Sequence, residues 1–343
     1  MASIFLTHSQ QSCANYYGAR ALERLEALGD VIRNESAAEL SEQELIAAAR
    51  DCDIIVSFRV PAITAAVFEQ LPRLAAVCRV AVDVRNIDID AASRHGVLVT
   101  RASAGFGASV AEWVIGAMID LSRNISVTAA AYWAGRPAPV RMGGELRGST
   151  LGVIGYGTIG QYLCRLGRAF GMTIQVCDPY AEIHEGGIVQ VSFEDLLATS
   201  DHVVCLAPAT PETAKLINGR ALKKMKPSAF FINASRGELV DEDDLLRALD
   251  EETIAGCALD VGSDGDQKPS PMVARHHRVI ASPHIAGLTP QAVEHQAMDS
   301  VAQVQAILTG QMPAGAINAQ HARRLALLWA ETRKAGSPAS RAP

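Results

Sequence analysis

The chain has 343 residues, 49% of them hydrophobic and 20% charged, and carries a formal net charge of −6. That length fits two domains of ordinary size better than a single core. The acidic balance excludes a broad phosphate-binding surface, so neither nucleic acid nor an anionic membrane is an expected partner, while a small anionic substrate held by a few arginines is compatible with it.

The seven cysteines, Cys13, Cys52, Cys78, Cys164, Cys177, Cys205 and Cys257, are scattered singly. None stands at CxxC or Cys/His ligand spacing, so they read as small core hydrophobes of a reducing compartment, with no metal expected. The opening MASIFLTHSQ lacks a basic segment followed by an apolar one, and no apolar run reaches membrane-spanning length. A soluble, cytoplasmic protein is the expectation.

Short apolar strands alternate with helical stretches, which predicts an α/β fold with mainly parallel sheets. Strands are expected at 4–7, 30–33, 54–57, 75–79 and 97–100, and a helix over 41–50, where Ser41 followed by Glu44 forms a capping box. One long amphipathic helix is expected over 110–132, its apolar side carrying Val110, Val114, Ala117, Met118 and Leu121. A Gly/Pro/Arg-rich connector follows at 135–148. A second series of strands then begins with LGVIG and runs through TIQVC, HVVCLA, AFFINA and TIAGCALDV to RVIASPH, before a helix over 290–308. The small, polar tail from 331 to 343 is expected to be disordered.

Gly155, Tyr156, Gly157, Thr158, Ile159 and Gly160 form GYGTIG, between an apolar strand and an amphipathic helix. The first glycine of such a loop permits a tight turn, the second lets backbone approach a pyrophosphate, and the third allows close helix–strand packing. The helix start then offers free N–H groups to the anion. Asp178 lies 18 positions after Gly160, at the end of the next strand, where a carboxylate accepts bonds from an adenosine ribose. NAD is therefore expected in preference to NADP, whose 2′-phosphate would meet like charge.

Two further strand ends carry chemistry. Arg236 follows AFFINA, and a guanidinium holds a carboxylate in bidentate fashion while polarising a neighbouring carbonyl. Its structural alternative is a surface pair with Glu238 or Asp241. His284 follows RVIAS in SPHIAG, and an imidazole exchanges a proton near neutrality. His276, His277 and His295 carry no such context and are expected to be solvent-exposed.

The ordered series GYGTIG, LAPATPETAKLIN, NASRGELVDEDDLLRAL, ALDV and SPHIAGLT resembles the D-isomer-specific 2-hydroxyacid dehydrogenases, with upstream likeness in AVDVRNIDIDAASRHGVLVT and SVAEWVIGAMIDLSRNI, covering residues 50–320. The resemblance implies two Rossmann-like domains with doubly wound parallel sheets. It implies a discontinuous substrate domain, residues 1–102 with 286–330, around an inserted NAD-binding domain, 103–285, with the active site in the cleft and a homodimer using the 110–132 helix. It further implies reversible reduction of a 2-keto acid, with Arg236 as the clamp and His284 as the acid/base. Asp260 would hold the nicotinamide carboxamide, Pro208 and Thr210 would line the adenine or diphosphate side, and Ala234 would face the nicotinamide. Val80 and Ala81 would meet the substrate carboxylate through backbone N–H groups, although RVAVDV is poorer in glycine than the family's wording.

The family's histidine-orienting glutamate should stand five residues after Asp260, where this chain has Gly265. Within GSDGDQKP, Asp266 is the first choice to replace it, with Asp264 and Gln267 as alternatives, the latter by analogy with formate dehydrogenases. Two other functions compete: an NAD-sensing, corepressor-like binding protein, and formate dehydrogenase itself.

Overall fold

The computed structural model describes residues 2–138 and 140–336. The chain divides into two compact units. One runs from the N-terminus to Gly105 and resumes at Pro290; the other is Phe106–Thr289. The crossings thus fall three to four residues later than the 102/103 and 285/286 expected from the sequence.

The first unit is a five-stranded parallel sheet of β1 (Ser3–Leu6), β2 (Asp30–Arg33), β3 (Ile54–Ser57), β4 (Ala76–Arg79) and β5 (Leu98–Arg101), in the order β2-β1-β3-β4-β5. Its central strands are continuous apolar runs because both faces are covered. The two-residue period sends Ile4, Leu6, Ile54, Val56, Ala76 and Cys78 to one face and Phe5, Ile55 and Val77 to the other. The first face is closed by Ala297, Val301, Val304 and Ile307 of the helix Pro290–Leu308. Returning chain is therefore part of this core, which explains why the unit is discontinuous.

The second unit holds β6 (Thr150–Ile154), β7 (Thr173–Cys177), β8 (Ile188–Gln190), β9 (His202–Cys205), β10 (Phe230–Asn233), β11 (Gly256–Leu259) and β12 (Val279–Ala281). They form a parallel sheet in the order β12-β11-β10-β9-β6-β7-β8. Val153, Val204, Ile232 and Ala258 pack beneath Val110, Val114, Met118 and Leu121 of the helix Gly107–Arg123, while Val203, Phe231 and Cys257 face the opposite layer.

Several expectations change. The long helix over 110–132 is two helices, Gly107–Arg123 and Ile125–Trp133, broken at Asn124. That residue is left-handed (φ 53°), a conformation asparagine tolerates better than most residues. The tail expected to be disordered from 331 begins inside the helix Arg324–Gly336, because AETRKA is rich in good helix formers; residues 337–343 lie outside the described residues. The capping box at Ser41 forms with both of its bonds. No helix among the described residues is long and apolar enough to cross a membrane.

Candidate active site

In an open parallel sheet, ligands bind beyond the carboxyl ends of the strands, where the strand order reverses. In the second unit that point lies between β6 and β9, and nearly every residue singled out from the sequence stands along this edge. The GYGTIG loop follows β6, Asp178 follows β7, Pro208 and Thr210 follow β9, Ala234 and Arg236 follow β10, Asp260 follows β11, and His284 follows β12.

The loop fits a pyrophosphate. Gly155 has φ +100°, and a Cβ there would meet the backbone of Leu206 and Ala207 at 2.9 Å. A Cβ on Gly160 would lie 2.3 Å from the Gly155 oxygen, so the helix Thr158–Ala169 approaches the strand closely only because neither position has a side chain. At Gly157 a Cβ would enter open space, the side from which an anion reaches the backbone. Gly157 caps that helix without a side-chain bond, so N–H groups of its first turn are available to a phosphate.

The Asp178 carboxylate is pinned by backbone, accepting from Tyr156 N at 2.7 Å and Tyr180 N at 2.8 Å. A carboxylate oxygen accepts about two bonds, so each retains capacity for a ribose hydroxyl. Tyr156 donates its hydroxyl to Glu185, which also pairs with Arg168 at 2.9 Å. Farther along the edge, Thr213 Oγ1 donates to the Pro208 oxygen and accepts from Thr210 N, which shapes the exposed turn after β9. Ala234 is buried, and neighbouring Ser235 donates its hydroxyl to the Ala207 oxygen.

Arg236 is half-buried, with Nη1 donating to the Ser235 oxygen at 2.8 Å. Its anticipated structural partners are engaged elsewhere: Asp241 pairs with Lys215 at 3.0 Å, and Glu238 accepts from Gln267 Nε2 at 2.8 Å. Among the described residues Arg236 makes no ion pair.

Asp260 is 2% exposed, and its carboxylate accepts from Ser282 Oγ, Ile285 N and Ala286 N. It fixes the segment bearing His284, and Oδ2, which accepts only from Ala286 N, retains capacity for one further donor such as the carboxamide that the family resemblance assigned to it. His284 itself is left-handed (φ 60°) and half-buried. Its Nδ1 lies 3.1 Å from the main-chain oxygen of Asp266. Asp266 thus meets His284 through its main-chain oxygen, where the sequence pointed to its carboxylate. The other replacements do not supply one: the Gln267 amide goes to Glu238, and Asp264 is exposed, with its N–H on the Lys268 oxygen.

In the first unit, Val80 N–H donates to the Ser57 oxygen at 3.0 Å, and the Ala81 oxygen accepts from Ala102. The Val80 N–H therefore serves the fold, which leaves Ala81 as the better backbone donor of the two. Sequence reasoning missed His8, which follows β1. It is 1% exposed, sits against Tyr17 and Phe58, and has no hydrogen-bond partner on either ring nitrogen among the described residues. Burial, reinforced by the charge of Arg79, pushes its pKa down to about 3. Expected exposure fails at His276, whose ring is half-buried against His277 with Nδ1 accepting from Arg278 N, whereas His277 and His295 are exposed.

Residues 115–286 match the family model for the NAD-binding domain of D-isomer specific 2-hydroxyacid dehydrogenases. D-3-phosphoglycerate dehydrogenase 2, chloroplastic, of Arabidopsis thaliana is 33% identical over 307 residues, 88% of this chain and 49% of that protein. D-3-phosphoglycerate dehydrogenase of Methanocaldococcus jannaschii is 34% identical over 303 residues, 87% and 57% of the respective chains. The chain thus spans about half the length of the curated relatives it matches. The solved structure of D-2-hydroxyisocaproate dehydrogenase superposes with a TM-score of 0.83 at 25% identity, covering 93% of this chain and 100% of that one. With its dinucleotide loop, its strand-end arginine and histidine, and a family match across the second unit, the chain belongs to the D-isomer specific 2-hydroxyacid dehydrogenases.

Proposed function

We propose that the protein reversibly reduces a 2-keto acid to a D-2-hydroxy acid with NADH. The observation that carries this reading is Arg236: a half-buried guanidinium without an acidic partner among the described residues, on the same sheet edge as His284. An arginine without an ion pair among the described residues, while Glu238 and Asp241 are engaged elsewhere, is suited to an anion from outside the chain. The nicotinamide, when bound, supplies the hydride. Arg236 binds the carboxylate and polarises the carbonyl oxygen. The main-chain oxygen on His284 only accepts, so Nδ1 keeps its proton throughout; in the reducing direction the ring starts as the imidazolium, Nε2 gives its proton to the forming alkoxide, and the neutral Nδ1–H tautomer is left.

The test is NADH oxidation with glyoxylate, hydroxypyruvate, pyruvate and longer branched keto acids, together with oxidation of 3-phosphoglycerate, each repeated with the NADP cofactor. Turnover with at least one acid and a preference for NAD are expected. No turnover with any of them would leave an NAD-binding protein without this chemistry.

A homodimer is part of the proposal. The helix Ile125–Trp133 buries only Ala131 and exposes Ile125, Val127, Tyr132 and Trp133, the last at 86%. Large apolar side chains clustered and exposed on one short helix mark an interaction surface. Sedimentation equilibrium should give twice the chain mass, and Trp133→Glu should shift the protein toward monomer; a wild-type monomer at micromolar concentration would sink the idea.

A further inference from the structure

Six non-glycine residues among those described have positive φ: Asn124, Lys215, Glu252, Asp266, Gln267 and His284. Asn124 separates two helices and Glu252 follows the end of another. The remaining four converge on one contact. Asp266 offers its main-chain oxygen to His284 Nδ1, Gln267 donates from its side chain to Glu238 Oε1, and Lys215 N–H donates to the Glu238 oxygen at 2.8 Å. Left-handed L-residues persist only where their surroundings over-determine them, and such clusters mark functional geometry.

We propose that Glu238 and Gln267 are positioning residues for His284, holding the Asp266 main-chain oxygen on Nδ1 and so fixing which ring nitrogen transfers the proton. The inference rests on the proposed role of His284. Backbone bonds close the base of the 262–268 loop, with Gly262 N on the Gln267 oxygen and Asp264 N on the Lys268 oxygen, both at 3.0 Å. Two side-chain bonds tie the loop to the chain that follows Arg236, Ser263 N on Glu242 Oε1 and Gln267 Nε2 on Glu238 Oε1, both at 2.8 Å, and the second is the one next to Asp266.

The chemistry of that bond sets its direction. A carboxylate only accepts, so it selects the NH₂ edge of the Gln267 amide and turns the oxygen inward. The Gln267 Oε1 is indeed buried, without a hydrogen-bond partner among the described residues. Glu238 is anchored in turn, because Gly237 beside it lies so close to Gly262 that a Cβ would stand 2.1 Å from the Gly262 oxygen. The turn carrying Arg236 and the loop touching His284 are therefore locked together. A neutral main-chain oxygen gives the ring direction without adding charge, so its effect depends on the loop being held in place.

The experiment combines kinetics with nitrogen-15 NMR of the histidine rings, His284 being assigned by its loss in His284→Asn. The wild-type ring is expected as a single Nδ1–H tautomer. Gln267→Ala and Glu238→Leu should each give a mixture of tautomers and lower kcat about tenfold, as losses of ring-orienting partners do, with KM within about twofold and an altered pH–rate profile. Glu238→Gln keeps an acceptor oxygen and should restore both readouts. An unchanged tautomer and pH profile in Gln267→Ala overturns the proposal, as does a Glu238→Gln variant as impaired as Glu238→Leu. The tautomer readout needs no turnover, so an enzyme inactive on every keto acid defeats the functional reading while the ring populations still decide this one.

Discussion

His284→Asn is expected to lower kcat by roughly 10²- to 10⁴-fold, the usual loss when a general acid/base is removed. Asparagine is the informative replacement because the site is left-handed (φ 60°) and asparagine enters that region readily. Its amide can still donate to the Asp266 oxygen, which His284 Nδ1 now meets at 3.1 Å. The segment should therefore keep its shape while losing the group proposed to exchange a proton. NADH affinity, proposed to be set by the loops after β6 and β7, should stay within about threefold by fluorescence titration, while steady-state kinetics record the loss. A variant whose kcat falls less than threefold would remove the histidine from the chemistry.

The second large effect is on stability, and it arises at two histidines without a catalytic assignment. Burial pushes His8 down to about 3 and His202 to about 4, Asp201 opposing the latter shift. His202 lies at the start of β9 against Phe230, with a buried Nδ1 that has no hydrogen-bond partner among the described residues. Both rings are neutral in the folded chain but take up a proton near pH 6.5 when unfolded. Below that pH the unfolded state binds more protons, so stability falls as pH falls and continues to fall until about pH 4 for His202 and about pH 3 for His8. At pH 4.5 each unit should be less stable by about 2.5 kcal/mol, at ~1.4 kcal/mol per pH unit. Urea unfolding between pH 7 and 4.5 measures this, and His202→Gln should flatten the dependence of the second unit alone. Equal midpoints for the wild type across that range would contradict the account.

What the sequence made legible was what depends on local pattern. The glycines of residues 155–160, the alternating apolar strands and the Ser41 capping box each follow from near neighbours, and each stands where the pattern implied. Strand-end placement then brought Asp178, Arg236 and His284 to one sheet edge, because parallel topology puts every such loop on the same side. Three features were not legible. The break at Asn124 interrupts an otherwise unbroken apolar period, so nothing in the spacing announced it. The edge strand β8 is short and largely exposed, with little hydrophobic signal. The His284 partner is a main-chain atom, presented by left-handed backbone at Asp266 and Gln267. A search for a replacement carboxylate looks only at side chains and passes over it. His8 and His202 were missed for a related reason: a polar residue at a strand end reads as exposed until the layers above and below it are known.

Asp260 has a consequence for motion. A loop that bears a reactive ring ordinarily opens on its own, at little cost, through fraying of backbone that faces water. Here Ile285 and Ala286 belong to no helix or strand, yet both amides end on a buried carboxylate at the tip of β11. Peeling this segment away would leave a charge without donors inside the protein, a far larger penalty than losing two ordinary loop bonds. The ring is thereby carried on backbone that opens only when the sheet end itself opens, so the proposed acid/base keeps its position.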